Sequence, residues 1–153
     1  MEKGSIKQSG TPADLYERPN SSFVATFLGE INFLTGRVEQ KTGNMVTLSL
    51  GKNGNVQFIA GADDNKEQRC YVRPEKIFFD FASEHKEPMN SLQGILISID
   101  FFGNHTRYQI RLADGSIFKV SLHHRRTAQH KISTGDQVRV LFAVSDVFQI
   151  NEN

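Results

Sequence analysis

A single cysteine, Cys70, is all the thiol this chain carries, so neither an intramolecular disulfide nor a thiolate zinc cage can form within it. That usage suits a reducing, cytoplasmic setting. No run of about 18 apolar residues occurs anywhere, which excludes a bilayer-spanning helix. The opening Met1-Glu2-Lys3-Gly4 lacks the apolar core of a secretory signal. Excess charge of one sign is missing too: 18 Lys and Arg stand against 17 Asp and Glu, a formal net charge of +1. Such balance argues against a protein whose main task is neutralising phosphates. There is no Gly-x-x-x-x-Gly-Lys-Ser/Thr loop to cradle phosphates and no acidic strand end to hold magnesium, so this chain is not expected to hydrolyse ATP. No internal repeat or low-complexity segment stands out.

What is present divides at Gly29. Before it the pattern is helical. Thr11, Pro12 and Asp14 approximate a capping box, predicting a short helix from Pro12 to Arg18 that stops at Pro19. Asn20 or Ser21 then caps a second helix whose Phe23, Val24, Phe27 and Leu28 share one face, with Gly29 as its stop. Two such helices hold too little apolar surface to fold alone. The turn signal Lys3-Gly4 and the strand-like Ser5 to Gln8 lack a partner strand, so the chain is expected to be part of a longer polypeptide.

Beyond Gly29 the period becomes two. Val46, Leu48 and Leu50 alternate with polar residues. Ile95, Ile97, Ile99 and Phe101 do so against Leu96, Ser98, Asp100 and Phe102, and similar runs cover Tyr108 to Leu112, Phe118 to Leu122 and Val138 to Val144. Val147, Phe148 and Ile150 form a last apolar group. Thr42-Gly43-Asn44, Lys52-Asn53-Gly54-Asn55, Ala113-Asp114-Gly115 and Ser133-Thr134-Gly135-Asp136 read as turns, and Ala82 to Ser91 as a polar loop. Short strands joined by tight turns predict a mainly β, OB-like antiparallel barrel or sandwich from Glu30 onward, preceded by a two-helix tail.

The stretch from Gly4 to Gly29 carries Gly4, Ile6, Gln8, Gly10, Pro12, Leu15, Tyr16, Pro19, Phe23, Val24, Ala25, Phe27 and Leu28 in one register. It resembles the segment that follows the nucleotide-binding domain in ATP-binding subunits of ABC importers. Val72-Arg73-Pro74-Glu75-Lys76-Ile77, Phe101 to Tyr108 and Gly135-Asp136-Gln137-Val138 resemble motifs of the transport-associated OB (TOBE) domain of those subunits. The resemblance implies that residues 1–29 are the tail of a nucleotide-binding domain and residues 30–153 a TOBE-type β-domain. It further implies an accessory, regulatory and dimerisation role, with ATP and Mg serving the full-length parent and no cofactor in this part. Implied partners are a second copy, the upstream nucleotide-binding domain, the permease subunits and a solute-binding protein, at the cytoplasmic face of the membrane. Gly29-Glu30-Ile31-Asn32 looks most like the polyamine (spermidine/putrescine) type, with ferric-iron, aminoalkylphosphonate and sulfate types as alternatives. A nucleic-acid-binding OB module is the alternative of another class, against which the near-neutral charge and the helical segment both count.

Candidate residues lie at strand ends. Arg73 and Glu75 leave the strand Arg69 to Val72, either as a surface turn pairing locally or as an interface or ligand contact. Phe101, Phe102 and Asn104 join two long strands, either as a hairpin with core aromatics turning through Gly103-Asn104 or as an interface. Thr106 and Arg107 follow, Arg107 offering a planar donor fork. His123, His124 and His130 sit among Arg125, Arg126 and Lys131, whose charge would repel a metal cation; a solvated basic loop is the expectation.

Overall fold

Alternation of apolar and polar residues makes sheet faces, and here it makes two. The structure, a computed structural model, describes residues 30–60, 66–80, 87–123 and 131–150. The expected helical tail and the basic loop from His124 to His130 lie outside the described residues. Ten strands follow in order: β1 (Asn32–Thr42), β2 (Met45–Ser49), β3 (Asn55–Ile59), β4 (Glu67–Val72), β5 (Phe78–Phe79), β6 (Met89–Phe101), β7 (His105–Leu112), β8 (Ile117–His123), β9 (Gln137–Ala143) and β10 (Phe148–Ile150). They pair antiparallel into two five-stranded sheets, ordered β10-β4-β1-β2-β3 and β5-β9-β6-β7-β8. The all-β, OB-like expectation holds for these residues. Val46, Leu48, Val56 and Phe58 of the first sheet join Leu96, Ile110, Phe118 and Phe142 of the second in one buried cluster. Among the described residues no helix is long and apolar enough to cross a membrane.

The sheet orders reveal a repeat that the sequence reading missed. β1, β2 and β3 form a meander, and so do β6, β7 and β8. β4 runs through a 3-10 turn at Pro74–Lys76 into β5, as β9 runs through Val144–Asp146 into β10. The last strand of each half then crosses over. Phe78 and Phe79 pair with Leu141 and Val140, while Phe148 and Gln149 pair with Tyr71 and Cys70. Each half therefore completes the other's sheet. The sequence trace is short: Asn32-Phe33-Leu34-Thr35-Gly36 opens β1, and Asn90-Ser91-Leu92-Gln93-Gly94 lies near the start of β6.

Each residue of that Asn-x-Leu-x-Gly pattern has a physical task. The leucines enter the core. Gly94 sits where a Cβ would lie 2.5 Å from the Arg111 carbonyl oxygen, and Gly36 meets the Ser49 carbonyl in the same way, so only glycine lets the strands approach. A bulge follows in both strands, between Val38 and Gln40 and between Leu96 and Ser98. It reverses the facing of β6, so Leu92 and Leu96 point inward before it and Ile99 packs on the core after it. The uninterrupted alternation read from Ile95 to Phe101 is corrected accordingly: Ile97 is 36% and Phe101 77% exposed. Met89 to Ser91, expected in a loop, are strand residues because they pair with β9 from Ala143 to Leu141.

The asparagines tie the halves together. Asn32, only 5% exposed, donates through Nδ2 to the Lys119 carbonyl at 2.8 Å and accepts the Lys119 N–H at 2.8 Å. Asn90 does the same to Gln57, at 2.9 and 2.8 Å. Lys119 and Gln57 lie on β8 and β3, the outer strands of the two sheets. Each amide side chain so stands in for the peptide group of a missing neighbour strand and blunts an edge. Asn32→Ala and Asn90→Ala are each expected to cost about 1–3 kcal/mol in urea unfolding, because a backbone donor and acceptor lose their partner together. Asp at either position leaves the carbonyl unserved and falls near the alanine variants. Losses under about 0.5 kcal/mol at both positions, the level of an ordinary surface change, would refute the clamp.

Candidate functional site around Glu30

The start of β1, the exit of β4 and the outer faces of β7 and β8 meet at Glu30, two residues before Asn32. Arg73, at the exit of β4, is 3% exposed and donates from Nη1 to the Glu30 carbonyl oxygen at 3.2 Å. Its guanidinium also lies 5.7 Å from the ring centroid of Tyr71. A surface turn is therefore the wrong description of Arg73, whose long side chain is folded into the protein and secures the start of β1. Pro74 begins the 3-10 turn, and Glu75, next in that turn, is exposed.

The Glu30 carboxylate faces two cations. Arg107 on β7 forms an ion pair with its Oε2 through Nη2, and Lys119 Nζ on β8 stands 3.9 Å from Oε1. Asn32 holds the Lys119 backbone, so the β1 segment that brings Glu30 here also positions one of its partners. Arg107 in turn lies 5.4 Å from the ring centroid of Phe102. Phe102 stacks on His105, with centroids 5.0 Å apart and planes 12° from parallel, and His105 Nδ1 is 2.8 Å from Asn104 Oδ1.

Of the seven residues singled out from sequence, Arg73 and Arg107 converge through Glu30, and Phe102 and Asn104 join them through the β6–β7 hairpin. Phe101 projects at the hairpin with 77% exposure and Phe102 with 45%, so the expectation of core aromatics fails. The expected hairpin through Gly103-Asn104 is present, closed by the Phe102 N–H donating to the His105 carbonyl at 2.9 Å, although Gly103 itself does not take a positive φ. Thr106 is fully buried, opposite Leu122 on β8, and its Oγ1 has no hydrogen-bond partner among the described residues. It supports the strand from inside and presents nothing outward. Glu30, Lys119 and His105 were not singled out as site residues in the sequence. Glu30 stands 77 residues from Arg107, and no local pattern records a pairing across that distance.

Cys70 is wholly buried in the core, and burial pushes its thiol up to about 12, so it stays protonated and unreactive. Among the described residues no group of three His, Cys, Asp or Glu is placed to hold a metal. His123 ends β8 opposite His105, and the remaining histidines of the basic loop lie outside the described residues. What the strand ends offer chemically is a carboxylate shared by two cations, rimmed by exposed aromatics.

A family model described as TOBE domain matches residues 70–149, just over half of the chain. The spermidine/putrescine import ATP-binding protein PotA of Ruegeria pomeroyi is 32% identical over 142 residues, covering 93% of this chain and 37% of that protein. The proteins of the same name from Protochlamydia amoebophila and Thermotoga maritima are 34% and 33% identical over 131 residues, each covering 82% of this chain and 35% of theirs. The chain thus spans little more than a third of these relatives' length. Among solved structures, the cytoplasmic molybdate-binding protein ModG with molybdate bound superposes with a TM-score of 0.63 at 16% identity, over 78% of this chain and 96% of that one. At that identity the likeness is one of fold.

The ion pair at Glu30 is partly solvated, with side-chain exposures of 42% for Glu30 and 29% for Arg107. A double-mutant cycle of Glu30→Gln and Arg107→Gln should therefore give a coupling of about 0.2–1 kcal/mol. Arg73→Ala, which removes a buried side chain and its bond to the β1 backbone, should cost more than about 1.5 kcal/mol. If Arg73→Ala is as mild as Glu30→Gln, the buried anchor assigned to Arg73 is wrong.

Proposed function

Because the chain belongs to the TOBE domain family, we propose that it is the β-rich accessory domain of the ATP-binding subunit of an ABC importer serving polyamines. The observation that carries this reading is similarity along 93% of the chain to a spermidine/putrescine import ATP-binding protein. Residues 1–29 then belong to the tail of the nucleotide-binding domain and residues 30–153 to the β-domain. ATP and Mg act in the full-length parent, and the part in hand, lacking a phosphate loop, does not turn over ATP. The parent works at the cytoplasmic face of the membrane with permease subunits and a solute-binding protein.

The role within the subunit is pairing. Two catalytic domains that close on nucleotide and open after hydrolysis stay near each other if a second contact tethers them, since tethering raises their effective concentration. The hairpin of β6 and β7 supports this role, because Phe101 and Phe102 are exposed there beside the charged cluster of Glu30, Arg107 and Lys119. A symmetric contact would bury that patch on both copies.

The test uses the full-length parent with Phe101→Ser and Phe102→Ser. Sedimentation equilibrium without nucleotide should show at least about a tenfold weaker self-association, a loss of about 1.4 kcal/mol. Spermidine uptake by cells carrying the variant should fall with it. Unchanged association refutes the pairing role, and a wild-type parent that restores no polyamine uptake to a strain lacking its own system refutes the solute assignment. Salt-dependent binding of single-stranded oligonucleotides by the chain would favour the nucleic-acid reading instead.

A further inference from the structure

The internal repeat supplies its own control, because each surface position in one half has a counterpart in the other. On the outer face of the second sheet lies an open cleft of about 520 Å³, within the range of small-molecule sites. Its floor is set by strand alternation. Ser91 and Gln93 on β6, Gln137 and Arg139 on β9 and Arg111 on β7 share this face, with Gln93 opposite Arg139 and Ile95 opposite both Arg111 and Gln137. Lys52 and Asn53, from the β2–β3 connection of the other half, form its wall. Three cations line the cleft, and no carboxylate does.

The counterpart face of the first sheet is different at the same positions. By register, Ser49 stands where Arg111 stands and Glu67 where Gln137 stands, while Arg37 replaces Ile95. Asp114 occupies the turn position of Lys52. Arg37 lies opposite Glu67, and Arg69 covers the Phe33 ring with its guanidinium 3.7 Å from the centroid. There one cation has a carboxylate opposite it in register and the other is stacked on a ring. In the cleft, Arg139 is shared with Asp80 at 3.6 Å and with the Ser91 hydroxyl at 3.3 Å. Lys52 and Arg111 have no carboxylate partner among the described residues. Asp114, on the turn after β7, is engaged by the N–H and hydroxyl of Ser116 at 2.9 and 2.6 Å, bonds that hold its carboxyl below the usual range.

We infer that this cleft binds a small organic polyanion, with Arg111 and Lys52 meeting its charged oxygens and Gln93 and Gln137 hydrogen-bonding its polar body. Two cations lining one open face attract an anion, and an arginine fork fits carboxylate and phosphate oxygens equally. The chemistry common to both is two or more anionic groups on one compact molecule. The same charge pattern excludes a polyamine here, so the ligand is not the cargo of the proposed importer. The site shares the outer face of β7 with the Glu30 cluster, Arg107 standing four residues before Arg111 and Lys119 diagonal to it, but it draws its other residues from β6, β9 and the β2–β3 connection and does not depend on the pairing role.

Isothermal titration of the chain with pyrophosphate and with citrate separates the two anion classes. Saturable one-to-one binding of at least one of them is expected, weakening as sodium chloride is added. Lys52→Gln combined with Arg111→Gln should weaken it at least about tenfold. Arg37→Gln, on the counterpart face, should change it less than about twofold, as expected for a remote exposed charge. Because all three positions are exposed, an unchanged melting temperature shows that the variants remain folded. Binding of pyrophosphate alone assigns a phosphate ligand, and binding of citrate alone a carboxylate. Saturable binding of neither, or binding untouched by Lys52→Gln with Arg111→Gln, overturns the site.

Discussion

Everything in this structure depends on the exchange of two short strands. β5 is too small to hold a sheet edge by itself, having two residues, and β10 has three. Each is positioned by the 3-10 turn before it and by the opposite half's fourth strand, so neither sheet is complete without the other half. The asparagine clamps run in the same sense, from β1 to β8 and from β6 to β3. The core follows from this arrangement, because both sheets place their apolar faces on a single cluster. A chain built so has no half that can be removed while the other keeps its edges covered.

Local chemistry explains what could be read beforehand. The turns at Gly43, Gly54, Gly115 and Gly135 were visible because each requires a positive φ, which glycine supplies at little cost. β2, β7, β8 and the first half of β9 were visible because one of their faces is buried and the other is not. β1 was not, since its outer half is largely solvated and only Leu34 and Asn32 are buried in it. β6 was visible but misfaced, because a bulge shifts its period and leaves no mark in an apolar run such as Gly94-Ile95-Leu96-Ile97. The repeat escaped notice because its halves share few residues outside Asn-x-Leu-x-Gly. What they share is register, and register appears only after pairing.

The same division holds for the candidate site. Arg73, Phe102 and Arg107 could be named from motifs at strand ends, but whether each points inward or outward is decided by strands distant in sequence. Arg73 is buried because β1 begins over it, and Glu30 gathers Arg107 and Lys119 because both lie on the outer face of the β7–β8 pair. The near-neutral net charge concealed a local imbalance. The cleft on the second sheet is lined by cations and no carboxylate, while the counterpart positions carry Glu67 opposite Arg37, and a sum over the whole chain averages the two. A duplicated scaffold keeps its shared positions for folding and is free to vary the rest. The departures from symmetry are accordingly where binding chemistry is found.

Native-state hydrogen exchange measures the interdependence of the halves most directly. The slowest amides of β1, β2 and β4 and those of β6, β7 and β9 should open with one common free energy, equal to that of global unfolding. Opening of one half at a free energy lower by about 2 kcal/mol or more, with the other still protected, would show two independent units and contradict the account.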